Sequence, residues 1–320
     1  MRHAPVDKEK IMGKKYNFDT FREELVKALE DIYGNRCDVK VRKIPKNNGT
    51  ELTGISLVIE GDAAGITVYA EELFKLHLEG KSLFEIVLDV LERVKHNRVK
   101  KINLDFMNNY SEARKRLFFK LLTRKWNAAM MENCPYEPFL DLMLVPCCFV
   151  RINEDHHGLI QINNKTLEEW GIEKSKLLSD TWENSKEISR LNILTMQELM
   201  NMCPEDMVNN GDKESLKSYF GNSGRRVIVT NSMKFYGSSV MVFSDNQEAI
   251  SRRIGGDYYL LPSSVHEWIA VPAGGLMSAS DYAAMVKEMN QKEMRPEEVL
   301  SNSVYRYDSN RKTLTIVYQG

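Results

Sequence analysis

Apolar residues in this chain come in short runs, and the runs come in pairs across brief polar turns. Tyr258 to Pro262 and Trp268 to Ala273 bracket a polar island, Ser263, Ser264, His266 and Glu267. Asp38 to Ile44 and Glu51 to Ile59 flank Lys46-Asn47-Asn48-Gly49-Thr50, where Asn-Gly is the strongest short hairpin signal. Phe139 to Ile152 and Leu159 to Ile162 stand on either side of the turn 153–158, and Ser303 to Tyr307 is followed by Thr313 to Val317. Runs of this length and composition read as strands. A connection of a few residues joins antiparallel neighbours, whereas a parallel pair needs a crossover of a dozen or more. The expected sheets are therefore mixed or mainly antiparallel and built from hairpins.

Between the pairs the apolar period becomes helical. Phe18, Phe21, Leu25, Leu29 and Ile32 mark a first helix that Gly34 stops. Gly65 to Ala70 reads as a third strand, and Leu73 through Val94 as two helices broken at Gly80. Helical patterns continue over Ser111 to Glu132, Thr166 to Trp170, Lys176 to Glu187 and Thr195 to Cys203, while Arg226 to Thr230 and Ser239 to Phe243 are strand-like. Asp245 with Glu248, and Ser278 with Asp281, have the capping-box spacing that starts a helix. The fold class is α+β, with helices packed between and around the sheets. A length of 320 residues favours about two domains. The pattern divides into a leader (1–15), an N-terminal α+β lobe (16–135), a central hairpin with helices (136–224) and a C-terminal α+β lobe (225–320). The turn-rich stretch 209–224 is the expected break.

Charge narrows the classes of partner. With 44 basic and 45 acidic residues, no global field draws the chain to nucleic acid or to an anionic membrane. No run of 18 apolar residues predicts a membrane span. The basic leader has no apolar core and so is not a secretory signal, and Met12 offers a second start. The expected setting is the cytoplasm. Five cysteines without two-residue spacing predict no structural metal, and Cys147 and Cys148, inside an apolar run, read as small core residues. No cofactor is expected.

The polar island is the leading candidate site, a binding rim of Tyr258, Ser263, Ser264, His266, Glu267 and Trp268 that takes a protein partner. The alternative is a hydrolase or transferase in which Ser263 or Ser264 is the nucleophile and His266 its base. Glu267 adjoins His266 and would point to the opposite face, so the orienting acid would have to come from elsewhere. The bland reading is a turn whose hydroxyls satisfy loop amides. His156 and His157 beside Glu154 and Asp155 carry metal-ligand chemistry without metal-site spacing. Residues 93–125 are locally basic, and a further alternative is a nucleic-acid binder in which Arg116, Lys120 and Arg124 share one helix face that meets the phosphates, or else an acidic partner. A solvated face is the favoured account of that pattern.

At Phe139-Leu140-Asp141-Leu142, Trp170-Gly171-Ile172, Tyr259 to Glu267 and Val299 to Tyr305, the chain resembles an uncharacterised family, a domain of unknown function found mainly in gut Firmicutes. The likeness runs from about the first helix to the end. It implies a bacterial cytoplasmic protein and brings no activity, cofactor or catalytic residue with it.

Overall fold

Helix α1 (Phe18–Tyr33) begins at Asn17, whose side-chain oxygen accepts the Thr20 N–H at 2.9 Å, and ends at Gly34 with φ 54°. The computed structural model describes residues 16–99, 102–152, 157–195, 198 and 226–320. Two compact units result: residues up to Lys46 with Thr50–Leu104, and Asn47–Gly49 with Asp105–Gly320. The leader and the stretches 199–225 and 153–156 lie outside the described residues.

In the first unit β1 (Cys37–Pro45), β2 (Glu51–Ile59) and β3 (Ile66–Tyr69) form an antiparallel sheet in that order. Helices α2 (Ala70–Leu78) and α3 (Leu83–His96) follow, interrupted at Gly80 (φ 108°) as the sequence predicts. Alternation sends Ile55 and Leu57 of β2 into one core with Phe21, Leu25, Leu73 and Val90 of the helices. Ser82 and Glu85 make a complete capping box at the start of α3.

The second unit opens with the one-turn helix α4 (Tyr110–Ala113), then β4 (Leu117–Thr123), α5 (Ala128–Asn133), β5 (Glu137–Phe139), β6 (Leu142–Arg151) and β7 (His157–Gln161). Here the single helix expected over Ser111 to Glu132 is overturned. All seven residues of β4 are buried, including Lys120, whose spacing from Arg116 and Arg124 mimics a polar helix face, so the strand displays no period of its own. β4 pairs with one edge of β6, and β5 and β7 share the other. The free edge of β4 is closed by a side chain: the Phe119 N–H donates to Ser185 Oγ at 3.0 Å, from the later helix α7.

Helices α6 (Asn164–Trp170) and α7 (Lys174–Ile188) lead to a six-stranded antiparallel sheet. Its strands are β8 (Leu191–Thr195), β9 (Val227–Asn231), β10 (Tyr258–Ser264), β11 (Glu267–Pro272), β12 (Val304–Asp308) and β13 (Thr313–Tyr318), in the spatial order β13-β12-β10-β11-β9-β8. Helices α8 (Ser244–Ile254) and α9 (Ala279–Lys292) complete the unit. Tyr258, Leu260, Trp268, Ala270 and Tyr305 face a core shared with Phe119, Leu121 and Leu144 of the other sheet. Their neighbours Leu261, Ile269, Val271 and Val304 face α9 through Tyr282, Ala283 and Val286.

Ser239 to Phe243 reads as a strand but forms a 3-10 turn, Gly237–Val242. The first residues of α8 supply its hydrogen bonds in place of a strand partner: Asn246 donates to the Val240 carbonyl at 2.8 Å and Gln247 to that of Met241 at 2.7 Å. Asp245 therefore does not cap α8, whose N-cap position is Phe243. The capping box at Ser278 and Asp281 forms as predicted.

Trp268 and Tyr258 are fully buried, which removes both from any exposed rim. The Trp268 indole N–H donates to the Ser238 carbonyl at 2.8 Å, and its ring meets Tyr305 edge-on at 5.2 Å. Trp268→Ala should cost about 3–5 kcal/mol in denaturant unfolding, the range for truncating a buried aromatic.

Candidate functional site

The turn between β10 and β11 is fixed from three directions. Ser264 is buried, and its hydroxyl accepts the His266 N–H at 3.0 Å across a bulge in the hairpin register. Thr230 Oγ donates to the His266 carbonyl at 2.8 Å, and Ser238 Oγ to that of Val265 at 2.7 Å. The Val265 N–H reaches the Glu298 carbonyl at 2.9 Å. With its backbone tied down, the turn can aim the imidazole of His266 outward, partly exposed.

A second loop, 232–236, folds over that ring. Asn231 holds it by donating to the Phe235 carbonyl at 2.9 Å and accepting the Phe235 N–H at 3.1 Å. Lys234 (φ 52°) and Tyr236 (φ 49°) both sit in the left-handed region, which costs a residue with a Cβ roughly 1–2 kcal/mol. Such geometry persists only where the surroundings over-determine it. Gly237 comes next because nothing larger fits: a Cβ there would lie 2.5 Å from the Asn231 nitrogen and 2.7 Å from the His266 carbonyl oxygen.

The Tyr236 N–H donates to His266 Nδ1 at 3.0 Å. That bond makes Nδ1 an acceptor and leaves the ring proton on Nε2. Nε2 lies 3.7 Å from Glu298 Oε1, and the same carboxylate oxygen pairs with Arg295. The imidazole of His266 and the guanidinium of Arg295 outweigh partial burial and hold the Glu298 carboxyl down to about 2. Phe235 and Tyr236 complete an aromatic wall, with ring centroids 6.0 and 5.1 Å from that of His266.

Behind Tyr236 the site becomes buried and polar. Lys120 of β4 is 3% exposed, lies 5.8 Å from the centre of the Tyr236 ring and donates to Asn47 Oδ1 at 3.1 Å. Burial pushes its amine down, countered by the nearby Cys147 and Cys134 thiols. Asn47 also donates to the Tyr236 hydroxyl at 3.3 Å and to the Glu297 carbonyl at 3.2 Å, so one amide joins Lys120 to the turn that carries Glu298. Cys147 and Cys148 are fully buried, and burial pushes both thiols up to about 12, as inert core residues.

A separate node forms at Asp141. Its carboxylate accepts from Tyr305 OH at 2.6 Å, Ser303 Oγ at 2.8 Å and Ser301 Oγ at 3.1 Å. Leu140 beside it has φ 54° in the two-residue turn joining β5 to β6.

The structure separates several of the predicted groups. Ser263 donates to Glu267 Oε1 at 3.3 Å, and burial raises that carboxyl. His266 bonds elsewhere, so among the described residues neither serine hydroxyl is hydrogen-bonded to a ring nitrogen. Arg116, Lys120 and Arg124 do not form a basic helix face: Arg116 stacks on Phe106 at 4.5 Å, Lys120 is buried, and Arg124 donates to the Leu140 carbonyl at 2.7 Å. His157 of β7 packs on Phe149 of β6, and Glu154, Asp155 and His156 lie outside the described residues. No group of three or more His, Cys, Asp or Glu side chains able to hold a metal converges among the described residues.

A family model described as a family of unknown function, DUF5688, matches residues 18–309. The chain belongs to the DUF5688 family. No curated protein and no solved structure matches it. In this DUF5688 protein three of the four segments that carry the resemblance are linked by hydrogen bonds at two nodes. Asp141 binds Ser301, Ser303 and Tyr305, and Val265 binds the turn directly before Val299. The site residues that pattern reading missed are Asn47, Lys120 as a buried group, Tyr236, Arg295 and Glu298. Only Glu298 had a signal, as the residue immediately before Val299.

The depressed carboxyl of Glu298 stabilises the folded state above the ordinary glutamate range, and that contribution is lost as pH falls toward about 2. Glu298→Gln should therefore lower stability at neutral pH, and the gap from wild type should close on acidification from about pH 5 to about pH 2. Urea midpoints across that range check it.

Proposed function

We propose that the DUF5688 protein binds another macromolecule, a protein partner, at the rim formed by the β10–β11 turn, the 232–236 loop and the Arg295–Glu298 turn. It has no chemistry of its own there. The observation that carries this reading is the state of His266: one ring nitrogen accepts a backbone N–H and the other faces a carboxylate. A general base must be within hydrogen-bond reach of the proton it removes. What the rim offers a partner is a mixed surface, with His266, Glu267, Glu298, Phe235 and Tyr236 partly exposed and Arg295 and Lys234 exposed. Aromatic rings beside a charge-paired arginine are the composition that interface hot spots favour. A cytoplasmic setting belongs to the proposal, and the free thiols of Cys37, Cys134, Cys147 and Cys148 suit a reducing compartment.

The test is affinity capture from the native cytoplasm with wild type beside a His266→Ala, Arg295→Ala variant, read by mass spectrometry. Both side chains are at least partly exposed, but together they hold the Glu298 carboxyl down, so the variant should lose part of the stability that Glu298 contributes and is compared with wild type well below its own melting temperature. A partner enriched on wild type and reduced about tenfold or more on the variant supports the reading. Equal enrichment on both rejects this rim. A fluorophosphonate probe that labels wild type but not Ser264→Ala would replace the binder with a hydrolase.

A further inference from the structure

We propose that His266 is a pH-operated latch on the 232–236 loop, whose release changes the face the rim presents to its partner. The proposal rests on the binding reading above for its purpose, and on the ring's own contacts for its action.

The contacts are specific about protonation. The Tyr236 N–H can be accepted at 3.0 Å only by an Nδ1 that carries no proton. A second proton on the ring turns that acceptor into a donor facing a donor, and the bond is lost. On the other side of the ring the same proton strengthens the contact, because a charged imidazolium meets the carboxylate of Glu298. Glu298 is ready for this, since its carboxyl stays ionised down to about 2. Acidification thus tightens one end of the ring and frees the other. Histidine is the side chain whose unperturbed charge change falls between about pH 5 and pH 8.

The freed end holds a loop under strain. Lys234 and Tyr236 are both left-handed; Asn231 holds Phe235 and the Lys234 N–H, Ser239 Oγ donates to the Tyr236 carbonyl at 3.2 Å, Asn47 to the Tyr236 hydroxyl, and His266 accepts the Tyr236 N–H. Asparagine does not titrate, so the His266 bond is the pin that pH can remove. The charged or titratable groups around the ring are Glu267 on its own turn, Lys234 and Tyr236 on the loop, and Arg295, Glu297 and Glu298 on the opposing turn. Arg295 is already paired to Glu298, and Glu267 accepts from Ser263.

Amide hydrogen exchange of the full chain, followed by NMR and corrected for intrinsic rates, tests the latch. Tyr236 protection should fall about tenfold or more between about pH 8 and pH 5, with the Trp268 amide as an unchanged internal control. His266→Asn puts an amide oxygen where Nδ1 stands and cannot titrate, so it should keep Tyr236 protected and flat with pH. Glu298→Gln removes the charge that favours the imidazolium and should move the wild-type transition to lower pH. Unchanged Tyr236 protection in wild type, or the same pH response in His266→Asn, overturns the latch. Capture at pH 7.5 and at pH 5.5 separates the two claims. A partner held equally at both, while Tyr236 is released, overturns the regulatory role and leaves the binder standing. Empty captures at both pH values sink the binder, and the exchange data then decide the latch alone.

Discussion

The larger unit depends on one hairpin that is buried on both faces. Tyr258, Leu260, Trp268 and Ala270 fill the space between the two sheets, while Leu261, Ile269 and Val271 support α9. A strand pair enclosed in this way has one place for polar groups, which is its turn. The position of the candidate site therefore follows from the core. Ser263, Ser264, His266 and Glu267 are gathered there because every other residue of the hairpin is needed for packing, and the turn's backbone groups must then be satisfied by side chains from β9 and the 3-10 turn.

Much of the fold was legible because period and punctuation agreed. The Asn-Gly turn, the break at Gly80 and the box at Ser278 each combine a local rule with the pattern on either side. β4 was not legible for a physical reason: Leu117 to Thr123 is enclosed on both faces, and burial of that kind erases the alternation that distinguishes strand from helix. The 3-10 turn at Gly237–Val242 failed differently, since its hydrogen bonds come from Asn246 and Gln247, side chains that no strand propensity reports. At the site, the segment was visible and its chemistry was not. Tyr236 and Glu298 reach His266, and Lys120 reaches Tyr236, across gaps of 30 residues or more, and nothing in local spacing encodes that.

Asp180 and Lys120 are buried in the second unit and Asp141 is half-buried, and each of the three is handled differently. Asp141 collects three hydroxyls, which satisfies a carboxylate without a counter-charge. Asp180 takes the Tyr110 hydroxyl at 2.6 Å and the Lys176 ammonium at 2.7 Å, an ion pair at the surface of α7. Lys120 has neither solution. Among the described residues its nitrogen donates to one amide oxygen and faces one aromatic ring. A lysine in that position is costly if charged, and burial pushes it toward the neutral amine. The cost is incurred directly behind Tyr236, so a buried lysine and a loop with two left-handed residues share a side chain.

That coincidence explains why the site divides into a rigid part and a yielding part. The turn 264–267 is held by buried hydroxyls that do not change with conditions. The 232–236 loop is in a conformation two of its residues disfavour, held by Asn231, by backbone bonds at Ser232 and Lys234, by Ser239 and Asn47 on Tyr236, and, at the Tyr236 N–H, by one imidazole. Asn231 is fully buried and engaged at both ends of its amide, with Ser189 as a further partner at 3.0 Å. His266 is partly exposed and attached to the loop by a single bond. The restraint most open to solvent is thus also the one a proton can break, which places control of the loop at the rim and leaves the core behind it undisturbed.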